Sequence, residues 1–210
     1  MPGGKHGQTC RMETQSTRLS LLVRVRDAAD TAAWSAFERR YADLIFRYAV
    51  ARGMQFADAE DVRQIVFLRL AKYLRAFDYA PQRGRFRSYL GAVVRNVVSD
   101  RRHRPRASPT GVDEDEAALA ALAAPDAPEL DEAWEREWVD HHCRIALQTI
   151  RATFDAKSVA VFEALLAGAP AERIAAERDL SIDAVAKIRQ RVRTRMQQLI
   201  REQVRDEDGP

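Results

Sequence analysis

Hydrophobic positions recur at spacings of three and four along most of the chain, which is the pattern of one buried stripe on an α-helix. The clearest stripe follows Gly84, and its apolar positions are Phe86, Leu90, Val93, Val94 and Val97. Similar stripes predict helices over 17–26, 31–52, 57–76, 131–154, 158–167 and in two segments after Pro170. No run of alternating β-branched residues indicates a sheet. The pattern predicts an all-α protein.

The helix that ends near Gly53 carries an aromatic stripe that includes Trp34, Phe37 and Tyr41. Aromatic residues at helical spacing belong far more often to a core than to a ligand site, so we interpret the stripe as core. Asp30 or Thr31 can cap this helix at its start, and Gly53 suits its end.

The helix predicted over 57–76 is apolar on two sides. Val62, Val66 and Leu70 form its inward stripe, whereas the outward face carries the set Asp61, Gln64, Ile65 and Leu68. Apolar groups beside polar ones on an outer face indicate either a protein contact or coverage by another helix of the same domain. Periodicity alone leaves both interpretations open.

The segment after Pro170 has the pattern of a helix-turn-helix. Pro170 suits a first helical turn, residues 178–180 turn the chain, and Ser181 can cap the second helix. That helix buries the stripe Val185, Ile188, Val192, Met196 and Leu199. Its opposite face presents Asp183, Lys187, Gln190 and Thr194, with Arg191 and Arg193 beside them, and such a face suits major-groove edges and phosphates.

Charge is segregated along the chain although the net charge is only +3, from 34 basic and 31 acidic residues. Residues 83–106 contain eight arginines and one acid, Asp100. Arginine forks fit phosphate oxygens, and the aromatic and amide side chains among them offer stacking and base-edge hydrogen bonds. An acidic, proline-containing segment over 105–129 separates this basic helix from the second helical unit and is predicted to be a linker.

Several classes of protein are disfavoured. Cys10 and Cys143 lack CxxC spacing, which argues against a disulfide framework or a zinc site. No apolar run approaches the ~20 residues that span a bilayer, and no secretory signal is recognised, so we expect a soluble, cytoplasmic protein. A metal-dependent nuclease using Asp58, Glu60 and Asp61 is also disfavoured, because no His or further carboxylate joins them at useful spacing. We expect no enzyme activity, cofactor or metal.

Three motifs in this order resemble those of an extracytoplasmic-function (ECF) sigma factor, a small bacterial sigma subunit of RNA polymerase. They are 58–70 (Asp-Ala-Glu-Asp-Val-Arg-Gln-Ile-Val-Phe-Leu-Arg-Leu), 83–96 (Arg-Gly-Arg-Phe-Arg-Ser-Tyr-Leu-Gly-Ala-Val-Val-Arg-Asn) and 180–192 (Leu-Ser-Ile-Asp-Ala-Val-Ala-Lys-Ile-Arg-Gln-Arg-Val). Residues 17–104 then correspond to sigma region 2, a helical bundle, and 130–204 to the region 4 helix-turn-helix. Residues 1–16 are expected to be a disordered N-terminus, 105–129 a flexible acidic linker and 205–210 a tail.

The resemblance implies a role for each surface. The helix that docks on the β′ clamp of core RNA polymerase corresponds to Asp61, Gln64, Ile65, Phe67 and Leu68. The part that opens the −10 promoter element corresponds to Arg83, Arg85, Phe86, Arg87, Tyr89, Arg95, Asn96 and Arg102. The helix that reads the −35 element corresponds to Ser181, Asp183, Lys187, Gln190, Arg191 and Thr194.

The implied partners are promoter DNA and core polymerase, through its β′ clamp and β flap, without membrane insertion, and the holoenzyme would associate with the nucleoid. An anti-sigma partner is left open. The sequence departs from the family at Ile65, where Glu is usual, and at Asp179, where the turn usually has Gly; Asp tolerates a left-handed conformation, so we expect the turn to form. Residues Ala186 and Lys187 also differ from the commonest ones, so no −35 sequence can be inferred.

The main alternative is an ordinary helix-turn-helix regulator that binds duplex DNA without polymerase. It leaves the outward face of the 57–76 helix and the arginine-rich helix unexplained. For the free protein we expect a compact state, in which the linker acids at 113–116 lie against one of the basic helices and the two domains shield each other's DNA surfaces.

Overall fold

The computed structural model describes residues 17–27, 29–74, 86–103 and 132–208, and these residues form helices and no strand. The all-α prediction is confirmed for this part of the chain. The helices are α1 (Thr17–Arg24), α2 (Thr31–Ala51), α3 (Phe56–Tyr73), α4 (Phe86–His103), α5 (Glu132–Thr153), α6 (Ala156–Leu166), α7 (Ala171–Glu177) and α8 (Ile182–Asp208). The predicted N-terminus 1–16, the linker 105–129 and the site residues Arg83 and Arg85 lie outside the described residues.

Helices α2, α3 and α4 enclose the first core. Its centre is aromatic: the ring of Phe37 lies 4.8 Å from that of Tyr41, and the ring of Phe86 lies 5.3 Å from that of Tyr41. The interpretation of the aromatic stripe as core is confirmed for Phe37 and Tyr41, which are buried. The predicted ends also hold, since the Asp30 carboxylate accepts from Ala33 N at 2.9 Å and Gly53 has φ +83°.

The buried surface of α4 is wider than the one predicted stripe. All five residues of the predicted stripe, from Phe86 to Val97, are buried, which confirms that prediction. Tyr89, Ala92 and Val98 are buried as well. The extra burial follows from the packing of α4 against both α3 and α8, so two of its sides are covered instead of one.

The second half of the chain has two smaller cores. One joins α5, α6 and α8 through buried residues such as Ile150, Phe162 and Val192. The other lies under the helix-turn-helix and contains Val161, Ile174, Ala175 and Val185. Because α8 contributes to both, its position is fixed by packing along its first half.

The turn between α7 and α8 forms as expected. Asp179 has φ +50°, the left-handed conformation that Asp tolerates, and Ser181 Oγ accepts from Ala184 N at 3.1 Å. One boundary needs correction: α8 runs to Asp208, so the residues predicted as a tail from 205 onward begin inside a helix. Glu207 is even buried, with 3% of its surface exposed.

The two halves of the chain are in contact. Trp134 and Trp138 on the first turns of α5 belong to the same buried cluster as α2, α3 and α4. The ring of Trp134 meets that of Tyr48 edge-on at 5.4 Å. Helix α5 therefore packs on the first core at its start and on the second core at its end. The division into domains at 105–129 remains a prediction.

A buried polar cluster lies at this contact. Glu207 Oε1 accepts from Arg40 Nη2 at 2.5 Å and from Tyr41 Oη at 2.9 Å, and Glu207 Oε2 lies 3.1 Å from His142 Nε2. His142 Nδ1 is 2.9 Å from Gln203 Oε1, so the ring lies between Gln203 and Glu207 of the same helix. Burial alone would raise the pKa of Glu207, but the His142 and Arg40 contacts outweigh it and hold that pKa below its usual value.

His141 is buried beside this cluster, where its ring stacks on Tyr41 at 5.9 Å between centroids. Burial first, and then the positive charges of His142, Arg40 and Arg144, lower the pKa of His141 to about 3, against a partly opposing effect of Glu207. The folded chain therefore holds this ring neutral at a pH where the unfolded chain protonates it.

The pH dependence of stability tests this arrangement. Below pH 6.5 the unfolded chain binds a proton at His141 that the folded chain does not, so the free energy of unfolding should fall as the pH decreases towards 4. His141→Phe keeps an aromatic ring against Tyr41 and removes the proton site. Urea unfolding at pH 7, 6 and 5 should give a slope that is smaller in the variant by up to about one proton. Equal slopes would contradict the buried neutral histidine.

Candidate nucleic-acid interface

The outward face of α3 is open in the structure. Leu68 is 71% exposed, and Gln64 and Asp61 are also exposed. No described helix covers Leu68. Of the two interpretations of this face, coverage by another helix of the same domain is therefore removed for Leu68, and a protein contact remains. Ile65 and Phe67 are half-buried and pack against the first core. Of the five residues predicted to contact polymerase, three are thus accessible and two support the helix from beneath.

A groove between α2 and α3 extends this face. Its volume is about 530 Å³, and Leu68, Gln64 and Phe67 line it together with Trp34 and Glu38 of α2. Sequence reasoning placed Trp34 in the core, but the ring is half-buried and contributes to the groove wall. An amphipathic stripe cannot reveal this, since a residue at its edge is both packed and accessible.

Ion pairs connect α3 to α4. Arg101 Nη2 lies 3.1 Å from Asp58 Oδ1 and 2.5 Å from Asp61 Oδ2, and Arg69 pairs with Asp100 at 3.1 Å. These contacts fix how the outward face of α3 is oriented relative to the arginine-rich helix. The same contacts neutralise two of the acids considered for a nuclease site, and within the described ranges no group of three or more His, Cys, Asp or Glu is placed to hold a metal ion.

Two residues predicted to contact the −10 element are in the core. Phe86 has no exposed surface and Tyr89 is 3% exposed. The ring of Phe86 packs edge-on against Phe37 at 6.0 Å, so it cannot stack on a base in this arrangement. Phe86 belongs to the predicted buried stripe and packs on α2, whereas Tyr89 lies on the additional side of α4 that is also covered.

The other described residues of this set are more accessible. Arg95 and Asn96 are half-buried and Arg102 is exposed. Arg87 is half-buried but engaged: its guanidinium forms an ion pair with Glu135 and lies 5.8 Å from the ring centroid of Trp138, both on α5. Sequence reasoning missed these two contacts, because nothing in the pattern of α5 identified the helix on which its first turns pack.

The turn after α7 and the first turns of α8 present all six residues predicted to read the −35 element to solvent, namely Ser181, Asp183, Lys187, Gln190, Arg191 and Thr194. Lys187 pairs with Asp183 at 2.8 Å, and both side chains are more than 70% exposed, so the pair is weak and separable. Arg191 donates to Ser158 Oγ at 2.7 Å and lies 5.5 Å from the ring centroid of Phe154. It therefore also holds α8 against the adjacent turn.

Comparison with known proteins found one family match for part of the first half. Residues 38–107 match the family model described as Sigma-70 region 2, a stretch that begins in α2 and includes α3 and α4. No curated protein matches the chain. No helix in the described part of the chain combines the length and the apolar character needed to cross a bilayer.

Duplex binding by the exposed face of α8 should depend on Lys187. In the full-length chain, Lys187→Ala should weaken binding to duplex DNA and reduce the slope of log affinity against log salt by about one, the effect of one lost phosphate contact. Lys157→Ala, an exposed lysine on α6, is the matched control and should leave the slope unchanged. Fluorescence anisotropy at several salt concentrations measures both, and equal slopes in all three proteins would remove Lys187 from the interface.

Proposed function

We propose that the chain is an ECF sigma factor that binds core RNA polymerase and directs promoter recognition, opening and transcription initiation, and the match of residues 38–107 to the Sigma-70 region 2 family model supports this. A region 2 domain supports a role in promoter recognition, and the family implies core polymerase and promoter DNA as partners.

The observation that carries the proposal is the open apolar face within the matched domain. Leu68 projects 71% exposed beside a groove walled by Trp34 and Phe67, and a polar rim of Gln64 and Glu38 surrounds them. An exposed aliphatic anchor with aromatic walls and a polar rim has the composition of a protein-binding site. We assign this face to the β′ clamp of core polymerase.

Ile65 modifies this contact. The family usually has Glu at this position, whereas Ile65 is half-buried and packs against the first core. The side chain thus strengthens the support of the helix and supplies no charge to the partner. The polar component of docking falls instead to Gln64 and to Asp61, which Arg101 holds in place at 2.5 Å.

The two DNA surfaces divide between the halves. On α4, Arg95, Asn96 and Arg102 are accessible for the −10 element, and Arg87 would join them once free of α5. On α8, the exposed polar face from Ser181 to Thr194 suits the major groove of the −35 element. A contact of this second half with the β flap completes the proposal, and a bound anti-sigma factor would have to compete for one of these surfaces.

Leu68→Asp should weaken binding to core RNA polymerase by roughly tenfold or more, the loss of one anchor worth about 1.4 kcal/mol or above. The reason is that a carboxylate would be desolvated against an apolar partner. Circular dichroism should stay unchanged, because Leu68 is exposed. Binding is measured with a fluorescent full-length chain titrated with core polymerase.

Leu166→Asp is the control, since it makes the same change at a leucine that is 59% exposed on α6. It should bind core polymerase like the unaltered chain. If the unaltered chain binds duplex DNA but not core polymerase, the protein is a helix-turn-helix regulator and the sigma proposal fails. If Leu68→Asp unfolds the chain or both variants bind normally, the assigned face is wrong.

A further inference from the structure

The end of α8 lies far from its DNA-binding face. With 27 residues, α8 is about 40 Å long, so its first turns carry the helix-turn-helix residues and its last turns reach the first half of the chain. There Glu207 is inserted between Arg40 and Tyr41 of α2 and His142 of α5. Three helices from both halves meet at one carboxylate.

This contact is polar and charged, whereas the cores on either side of it are apolar. The side chains of Arg40 and Glu207 are only 12% and 4% exposed. One carboxylate oxygen accepts from Arg40 and Tyr41, and the other lies 3.1 Å from His142 Nε2. A buried ion pair contributes little net free energy relative to its hydrated partners, whereas leaving one partner unpaired in the interior is strongly unfavourable. The contact therefore favours two arrangements, fully docked or fully hydrated, over intermediate ones.

The docked arrangement covers part of the proposed −10 surface. When α8 and α5 lie against the first half, the guanidinium of Arg87 forms an ion pair with Glu135 and lies over the ring of Trp138. No described residue covers the face of α8 that carries Lys187. The docked state thus obstructs one DNA surface and leaves the other accessible.

Binding two promoter elements together requires the halves to separate. Elements two duplex turns apart lie on the order of 70 Å from each other, at ~34–36 Å per turn. The connection between α4 and α5 runs through residues 104–131, and a chain of that length can reach on the order of 90–100 Å when extended. The covalent connection therefore permits separation. What must be broken is the noncovalent contact of Glu207 together with the packing of Trp134 and Trp138 on the first core.

We propose that Glu207, held by Arg40, Tyr41 and His142, is a latch that keeps the free chain closed and Arg87 covered, and that docking on core polymerase opens it. This inference rests on the proposed function for what the open state does, but the latch itself is a property of the free chain. The residues that hold the free chain closed would then lie at the end of α8 and in the first turns of α5.

The test uses the full-length chain with Cys10→Ser and Cys143→Ser and spin labels at Ala57→Cys on α3 and Ala176→Cys on α7, both exposed positions. Pulsed electron paramagnetic resonance measures the distance between the labels. The free chain should give one short, narrow distribution. Glu207→Lys should shift it to longer, broader distances, because the new ammonium faces Arg40 and His142.

Glu202→Lys is the matched control, since Glu202 is another acid of α8 that lies outside the cluster and pairs only loosely with Arg195, at 3.7 Å. It should keep the short distance. Adding core polymerase should lengthen the distance in every version. A mixed-sequence single-stranded oligonucleotide should bind Glu207→Lys roughly three- to tenfold more tightly than the control, as expected for one uncovered arginine contact.

Circular dichroism establishes that Glu207→Lys is folded, and if it is not, Glu207→Gln provides the same comparison with a smaller change in shape. An unchanged distance in the folded variant would overturn the latch. So would a free chain as extended as the polymerase-bound one, and equal oligonucleotide binding would overturn the covering of Arg87. Failure to bind core polymerase, with the distance shift intact, would instead overturn the proposed function and leave the latch standing.

Discussion

The burial of Tyr41 links the two halves of the molecule. Its ring packs between Phe37 and Phe86 in the first core, the face of the ring stacks on His141 of α5, and its hydroxyl donates to Glu207 of α8 at 2.9 Å. The hydroxyl oxygen accepts from Arg40 Nε at 3.2 Å on the same helix, and the end of α8 supplies the acceptor that its buried proton needs. Burial and the adjacent Glu207 carboxylate raise the pKa of Tyr41 well above its usual value, which keeps the hydroxyl a donor.

The helices were predictable from the sequence because a 3.6-residue period directly reports which face of each helix is buried. The period does not report what covers that face. Trp134 and Trp138 were recognisable as apolar positions of α5, yet they pack on the first core and not on the second. Turn chemistry was similarly local and therefore predictable, as Asp30, Asp179 and Ser181 illustrate.

The candidate surfaces were predictable only in part, for the same reason. A resemblance transfers residues by their order along the chain, and Leu68 and Lys187 are indeed exposed. It does not transfer their environment, and Phe86 and Tyr89 are core residues here. Nothing in the sequence indicated that Glu207 is buried, because an acid in an acidic segment has the pattern of a solvated charge. Its partners come from the convergence of α2, α5 and α8.

The contrast between the two DNA surfaces has a consequence for how promoter contact proceeds if the latch is closed. The polar face of α8 is exposed in the same arrangement in which Arg87 is held by Glu135 and Trp138. Electrostatic attraction to duplex phosphates can therefore act on the second half while the first is still obstructed. Single-strand capture on α4 would have to follow separation of the halves. Under the proposed function, polymerase docking at Leu68 would leave Glu207 untouched. The two events would then be coupled only through the geometry that polymerase imposes on the separated domains, so that opening would be a consequence of where the second half is bound.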